Sequence, residues 1–167
     1  MGMSKFFSFP NPVNETSARI VAGGAVFMGI AFVLSGNGWV LLPLTYGFIA
    51  RVLAGPKLSP LGRLATQVLT PRLSIEHRFV PGPPKRFAQG VGAAFTITAS
   101  VLFVLGATGA AQIVIALLVV AAFLESAFAV CLGCIGFGLL MKIGVIPEAV
   151  CEECNNFTAR SLQTSAQ

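Results

Sequence analysis

Four cysteines near the end of the chain are the residues best suited to chemistry. They form two Cys-x-x-Cys pairs, Cys131/Cys134 and Cys151/Cys154, and the 167-residue sequence contains no other cysteine. Sixteen residues separate the pairs, a spacing within the range of a four-cysteine zinc site. Two thiols this close in sequence also suit reversible disulfide chemistry. The pattern therefore predicts either a metal site or a redox site.

The two cysteine pairs stand in different surroundings. The first lies in an apolar run that has no charged residue between Glu125 and Lys142. The second flanks two glutamates, in the sequence Cys-Glu-Glu-Cys. We therefore expect the first pair to lie at a membrane and the second pair to lie in water, so that a joint site would connect the two environments.

The composition indicates a membrane protein. Hydrophobic residues make up 55% of the chain and charged residues only 10%, against about 25% charged residues in soluble domains. No charge occurs from Ile20 to Ala50 or from Phe87 to Leu124. Each run exceeds the roughly 20 residues that one helix needs to cross the hydrocarbon core, so each run is expected to contain two helices.

Clusters of turn residues divide both apolar runs. Ser35-Gly36-Asn37-Gly38 splits the first run and Gly106-Ala107-Thr108-Gly109 splits the second. The sequence thus predicts an all-α, polytopic protein of one domain, residues 1–167. The four predicted transmembrane helices cover residues 15–34, 39–54, 86–105 and 111–141. The last is roughly 45 Å long at about 1.5 Å per residue, so we expect it to tilt, protrude or kink near Gly133, Gly136 and Gly138.

Basic residues indicate the orientation in the membrane. Seven of the eleven Lys and Arg residues lie between the second and third predicted spans or at the facing ends of these spans: Arg51, Lys57, Arg63, Arg72, Arg78, Lys85 and Arg86. The two predicted turns carry no basic residue. By the positive-inside rule, both termini, the basic loop 55–85 and the tail 142–167 are expected to face the cytoplasm.

A short helix is predicted inside the basic loop. Pro60 and Pro71 bound a stretch in which apolar residues recur at helical spacing, namely Leu61, Leu64, Ala65, Val68 and Leu69. Arg63, Thr66 and Gln67 fall on the opposite face. This pattern predicts an interfacial helix, which either docks on anionic lipid or a partner, or merely carries residues that fix the topology.

Several stretches of the sequence also resemble a known family. They are residues 9–15 (FPNPVNE), 46–51 (YGFIAR), 59–65 (SPLGRLA), 80–90 (VPGPPKRFAQG) and the region from Cys131 to Cys154. Together they resemble the domain of unknown function 4395 family, whose members are bacterial integral membrane proteins. Some relatives are joined to, or encoded near, thioredoxin-like proteins. The resemblance implies location in the bacterial cytoplasmic (inner) membrane and thiol chemistry with a thioredoxin-like partner.

With this topology, all four thiols meet at the cytoplasmic face. The reducing cytosol disfavours a permanent disulfide there. The leading hypothesis is a zinc site of Cys131, Cys134, Cys151 and Cys154 that joins the tail to the last helix and serves as a binding or assembly module. The rival is a thiol–disulfide oxidoreductase in which one dithiol passes electrons to the other and to a thioredoxin-like protein. Inert buried cysteines are the remaining alternative.

Glu125 is the second residue that calls for an explanation. A carboxylate at membrane depth costs about 2.5 kcal/mol or more unless it is paired or protonated. Its expected partner is Arg51, at the end of the second span. The pair would either lock the second helix to the fourth or take part in a proton or cation relay. A small-solute channel or transporter near Glu125 is therefore a third function class.

The remaining expectations concern partners. Gly90, Ala94 and Thr98 form a stripe of small residues that would let helices approach closely, either within one chain or in a homo-oligomer. The lipid bilayer is an expected partner and nucleic acid is not. The sequence has no Gly-rich phosphate loop and no nucleophile with a neighbouring base, which argues against an ATP-driven pump or an ordinary hydrolase.

Overall fold

The computed structural model describes residues 12–72 and 78–147, and this part of the chain is almost entirely helical. The elements are β1 (Val13–Asn14), α1 (Glu15–Ser35), α2 (Leu41–Ala54), α3 (residues 60–72), β2 (Phe79–Val80), α4 (Gly82–Val104), α5 (Thr108–Phe128) and α6 (Leu132–Lys142). In α3, a π-helical turn lies between two α-helical turns. Short 3-10 turns precede and follow α2.

Within the described residues, four helical segments are long and apolar enough to cross a membrane. They are Glu15–Ser35, Gly38–Arg72, Gly82–Val104 and Thr108–Phe128, the second of which includes α2 and α3. The predicted all-α polytopic fold is therefore confirmed. Both predicted turns are present as well: Gly36 ends α1 with φ 62° and Gly106 follows α4 with φ 83°. Glycine adopts this left-handed conformation without steric penalty.

Large apolar side chains cover the outside of the bundle. Phe27, Leu34 and Val104 are 77%, 82% and 84% exposed. Such a surface matches lipid, because acyl chains are as apolar as these side chains. Phe32 and Ile115 are fully buried and belong to a core that includes several alanines. The fold is thus built to be surrounded by hydrocarbon, with small residues where helices meet.

The helices pack in the spatial order α1, α5, α4 and α2, and α6 lies against α4. Glycines allow two of the close contacts. A Cβ atom on Gly29 of α1 would collide with the Val119 side chain of α5. A Cβ atom on Gly92 of α4 would collide with the Phe48 ring of α2. These contacts bring helix backbones close together where lipid provides no hydrophobic force between helices.

A small β-ladder holds two helix starts together. β1 pairs antiparallel with β2, with Val13 opposite Val80 and Asn14 opposite Phe79. The Asn14 side chain also accepts a hydrogen bond of 2.9 Å from the backbone N–H of Thr16, which caps α1 as this residue type at this position leads one to expect. The ladder places the N-terminal ends of α1 and α4 at the same end of the bundle.

The prediction of one long fourth helix is wrong. Residues 111–141 form two helices, α5 and α6, separated by Ala129–Cys131. The break at Ala129–Cys131 precedes Gly133, Gly136 and Gly138, where a kink was expected. The 21 residues of α5 are roughly 31 Å long at about 1.5 Å per residue, which matches a hydrocarbon core of about 30 Å. The length of α5 therefore matches the hydrocarbon core, and this helix does not need to tilt or protrude.

The glycine contacts allow a matched test. Gly92→Ala should lower the free energy of unfolding by about 1–3 kcal/mol, because its added methyl group collides with the buried Phe48 ring. Gly90→Ala, on the same helix, should leave it unchanged or raise it by up to about 1 kcal/mol, because no other side chain or distant backbone lies within 4 Å of the new atom and alanine favours a helix over glycine. Unfolding in mixed micelles measures both. Equal losses would contradict the close packing of α2 on α4.

Candidate functional site

Cys131 and Cys134 are joined by a disulfide at the start of α6. Cys131 is the N-cap residue of this helix, and its Sγ accepts a hydrogen bond of 3.2 Å from the backbone N–H of Cys134. Cys131 is buried at 8% exposure, whereas Cys134 is partly exposed. The two sulfurs therefore differ in access, although they belong to one bond.

The end of α5 explains why a helix starts at the first cysteine. Ala129 has φ 58°, and its N–H donates to the Glu125 carbonyl oxygen, which closes the last turn of α5. The Arg19 guanidinium of α1 donates to the carbonyl oxygens of Ser126 at 2.9 Å and Ala127 at 3.0 Å. These carbonyls would otherwise lack an intrahelical partner. Nothing in the sequence indicated this contact of Arg19.

A left-handed alanine is a costly way to end a helix. Residues with a Cβ atom lose roughly 1–2 kcal/mol in this conformation. Strain of this kind persists only where surrounding contacts hold it, and here the Arg19 contacts hold it. The result is a sharp turn that carries the chain from α5 directly into the Cys131-Leu132-Gly133-Cys134 motif.

Gly133, inside the Cys-x-x-Cys motif, fixes the position of the motif on α4. A Cβ atom at Gly133 would lie 2.6 Å from the Cα atom of Ala88, closer than real Cβ contacts allow. Only glycine lets α6 lie this close to the α4 backbone. One helical turn later, the Phe137 ring packs against the Phe87 ring with centroids 5.7 Å apart. The disulfide is thus held against the membrane bundle.

Glu125 is paired, but its partner is Lys85 of α4. The Lys85 Nζ atom donates to Glu125 Oε1 at 2.6 Å, and the two side chains are only 8% and 13% exposed. The interpretation of Glu125 as one half of a helix-locking ion pair therefore fits the structure, but the expected partner was wrong. The sequence placed Lys85 in the loop, whereas α4 begins at Gly82 and turns this side chain inward.

Arg51 makes other contacts. Its Nε donates to Gln89 Oε1 at 2.8 Å and a terminal nitrogen donates to Ser59 Oγ at 3.3 Å. The guanidinium also lies 4.5 Å from the centre of the Phe48 ring. Arg51 still attracts the Glu125 carboxylate electrostatically, over a longer distance than an ion pair. Gln89 and Ser59, neither of which the sequence singled out, therefore hold Arg51 in place.

A cavity of about 420 Å³ connects these groups with the disulfide. It lies among α1, α2, α4, α5 and α6. Its polar wall consists of Arg51, Gln89, Glu125 and Cys131, and the remainder of its lining is apolar. We call it the thiol cavity. Cys131 lines it and Cys134 does not, which agrees with the burial of Cys131 and the partial exposure of Cys134.

The second cysteine pair, Cys151 and Cys154, lies outside the described residues. The predicted four-cysteine site therefore stays a prediction. Within residues 12–72 and 78–147, no group of three or more His, Cys, Asp or Glu side chains is arranged to hold a metal ion. What the structure does bring together is the first cysteine pair, the Lys85–Glu125 ion pair and Arg51.

The ion pair can be tested by removing one charge. Glu125→Gln should lower the free energy of unfolding by about 3 kcal/mol, because it leaves the Lys85 ammonium buried without a counter-charge. Replacing both residues, as Lys85→Met with Glu125→Leu, should restore most of that loss. Arg78→Gln serves as the control, since Arg78 is 82% exposed in its 3.7 Å pair with Glu15 and should cost less than about 1 kcal/mol. A Glu125→Gln loss no larger than the control would contradict the locking role.

Comparison with known proteins agrees with the resemblance seen in the sequence. No curated protein and no solved structure matches the chain at a significant level. A family model described as a domain of unknown function (DUF4395) matches residues 13–142. This range runs from β1 to the end of α6, so it includes the thiol cavity and the first cysteine pair, and the second pair follows it. The chain belongs to the DUF4395 family.

Proposed function

We propose that this chain is a membrane thiol–disulfide oxidoreductase whose reactive pair is Cys131 and Cys134. The observation that carries the proposal is the bond between these two sulfurs at the start of α6, beside a membrane cavity. On the cytoplasmic side, where thiols are kept reduced, a disulfide is normally transient and serves catalysis or sensing. A bond placed there is suited to being made and broken.

The local structure favours one direction of attack. The partly exposed Cys134 is the sulfur that an incoming thiolate can reach, whereas Cys131 is buried. Attack on Cys134 releases Cys131 as a thiolate. That thiolate accepts the N–H of Cys134 and lies at the positive end of the α6 dipole. Stabilising the leaving thiolate speeds exchange.

The exchange balances without a further reactant. A donor thiolate attacks Cys134 Sγ, the Cys131–Cys134 bond breaks, and a mixed disulfide forms. A second thiol of the donor then attacks its own sulfur in the mixed disulfide and releases Cys134. The donor dithiol has lost two electrons and two protons, and Cys131 and Cys134 have gained them. A dithiol donor is therefore sufficient.

The tail of the same chain offers one such donor. Cys151 and Cys154 would supply a dithiol, and only eight residues separate Cys151 from the end of α6. The nine residue-to-residue steps from Lys142 to Cys151 can span about 30 Å at about 3.3 Å each, whereas Cys134 lies about 12 Å before Lys142 along the helix. The tail is long enough to return to the first pair. A thioredoxin-like protein would then supply electrons to the tail.

The orientation that suits this chemistry places the cysteines at the cytoplasmic face of a bacterial inner membrane. The β-ladder brings the starts of α1 and α4 to the end of the bundle where the basic stretch also lies. Lys57, Arg63, Arg72 and Arg78 flank that end. The positive-inside rule assigns it to the cytoplasm. Both termini would face the same compartment.

A four-cysteine zinc site is the second candidate, favoured by the spacing of the two pairs. Zinc binds thiolates, so this function requires the Cys131–Cys134 bond to be reduced. It also requires Cys151 and Cys154 to approach both sulfurs. The site would join the tail to α6 and act as a binding or assembly module, with no electron transfer.

Trapping a mixed disulfide tests the assignment of Cys134, and the metal content then distinguishes the two candidates. The chain is purified with Cys151→Ser and Cys154→Ser and mixed with a thioredoxin-like protein whose single cysteine is activated by nitrothiobenzoate. Adding Cys131→Ser should give a stable mixed disulfide through Cys134, with release of the yellow thiolate. Adding Cys134→Ser instead, as the matched control, should react at least about tenfold more slowly, because the remaining thiol is buried.

Metal content is measured on the unmodified chain in parallel. The redox function predicts a protein free of zinc that changes between dithiol and disulfide forms. About one zinc ion per chain with four protected thiols would overturn it and support the zinc site. Equal trapping by the two single-cysteine variants would contradict the assignment of Cys134 as the attacked sulfur.

A further inference from the structure

The thiol cavity has a size and a lining that suit a largely apolar molecule. Its volume of about 420 Å³ lies within the range of small-molecule sites. Leu117 of α5 lines its deep end, eleven residues before the end of that helix. At 1.5 Å per residue, the cavity extends about 16 Å into the bundle from the level of the disulfide.

The cavity reaches the surface that faces lipid. Val91 of α4 and Leu117 of α5 both line the cavity, and they are also 37% and 57% exposed on the outside of the bundle. Both are apolar and belong to membrane-spanning helices. Part of the cavity wall thus lies at the lipid-facing surface, so a ligand dissolved in the bilayer can reach the cavity without crossing water. Access from the bilayer favours a lipid-soluble ligand over a water-soluble substrate.

Polar groups are confined to one end of the cavity, beside the disulfide. Arg51 presents a guanidinium, and the side-chain oxygen of Gln89 accepts from it, which leaves the Gln89 amide N–H groups as donors. Glu125 is neutralised by Lys85. This end therefore offers hydrogen-bond donors, the complement of carbonyl oxygens on an otherwise apolar ring. Cys131 lines the same cavity.

We propose that the thiol cavity binds a membrane quinone, which takes up the electrons of the Cys131–Cys134 dithiol. This inference rests on the proposed function and names its electron acceptor. A quinone combines the required features: it dissolves in lipid, has a flat ring with two carbonyl oxygens, and accepts two electrons with two protons. Cys131 is the sulfur that meets the quinone, and Cys134 is the sulfur that meets the protein donor.

The electrons and protons balance in two steps. The Cys131 thiolate forms a bond to a ring carbon of the quinone. The Cys134 thiolate then attacks Cys131 Sγ, the sulfur–carbon bond breaks, and its electron pair remains on the ring. The two protons lost by the thiols end on the two ring oxygens. One dithiol and one quinone have become one disulfide and one quinol, and the cycle can begin again.

The test uses the full chain in quinone-free nanodiscs, reduced with dithiothreitol that is then removed. A short-chain ubiquinone analogue is added, quinone absorbance is followed, and thiols are counted by alkylation. We expect one quinol for each disulfide formed and a rate that saturates with quinone concentration. Cys131→Ser should abolish the reaction. A rate that rises linearly with quinone concentration and never saturates would overturn the proposal.

A variant that fills the cavity supplies the control. Gly136 of α6 lines the cavity and has open space around it, so Gly136→Leu should slow quinone reduction at least about tenfold while leaving both cysteines in place. Gly138→Leu is matched, because Gly138 has equally open space on the same helix but is not part of the cavity wall. It should react at the normal rate.

The outcomes separate this proposal from the one on which it rests. A chain that exchanges with the activated thioredoxin-like protein but does not reduce quinone, or does so equally well with Gly136→Leu, refutes the quinone site and leaves the oxidoreductase intact. In that case the cavity holds lipid acyl chain. A chain that fails in both reactions refutes the oxidoreductase itself.

Discussion

The ion pair between Lys85 and Glu125 is the contact on which the rest of the site depends. In hydrocarbon neither charge is tolerated alone, so the pair fixes the level of α4 relative to α5. With that level fixed, Ala88 lies under Gly133 and Gln89 meets Arg51. A shift of α4 by one residue would break the ion pair and both contacts. One electrostatic constraint thus positions the cysteine motif and the polar wall of the thiol cavity together.

The second constraint is the sharp end of α5. Arg19 reaches from α1 to the last carbonyls of α5, and Ala129 adopts a left-handed conformation that ends the helix. A continuous helix would have carried Cys131 around the α5 axis with its N–H groups satisfied internally. The break instead makes Cys131 the N-cap residue of α6. The backbone N–H of Cys134, which has no intrahelical carbonyl partner, therefore donates to the Cys131 sulfur. Helix capping at one point therefore creates the chemical asymmetry of the disulfide.

Much of the fold was predictable because membrane helices have strong sequence signals. Charge-free runs and glycine turns predicted four spanning helices, and the first was expected to begin at residue 15, where α1 does begin. The break after α5 was not predictable, since Ala129 is a good helix former and the residue that stabilises the turn, Arg19, is 110 positions away in the sequence. The partner of Glu125 was misassigned for a related reason. Three prolines shortly before Lys85 in the sequence indicated a loop. Proline is tolerated in the first turn of a helix, however, so α4 begins at Gly82 and Lys85 lies inside the helix, where it is buried.

These elements together make a bundle in which a dithiol lies between an outer face and a cavity open to lipid. The central claim is that the bond between Cys131 and Cys134 is made and broken as a unit, and it is tested most directly by mass spectrometry of alkylated peptides during a titration of membranes with dithiothreitol. The account predicts that both thiols appear together in a single two-electron step and that no zinc is released. It is contradicted if one of the two thiols becomes alkylated without the other, or if all four thiols stay protected until a chelator removes zinc.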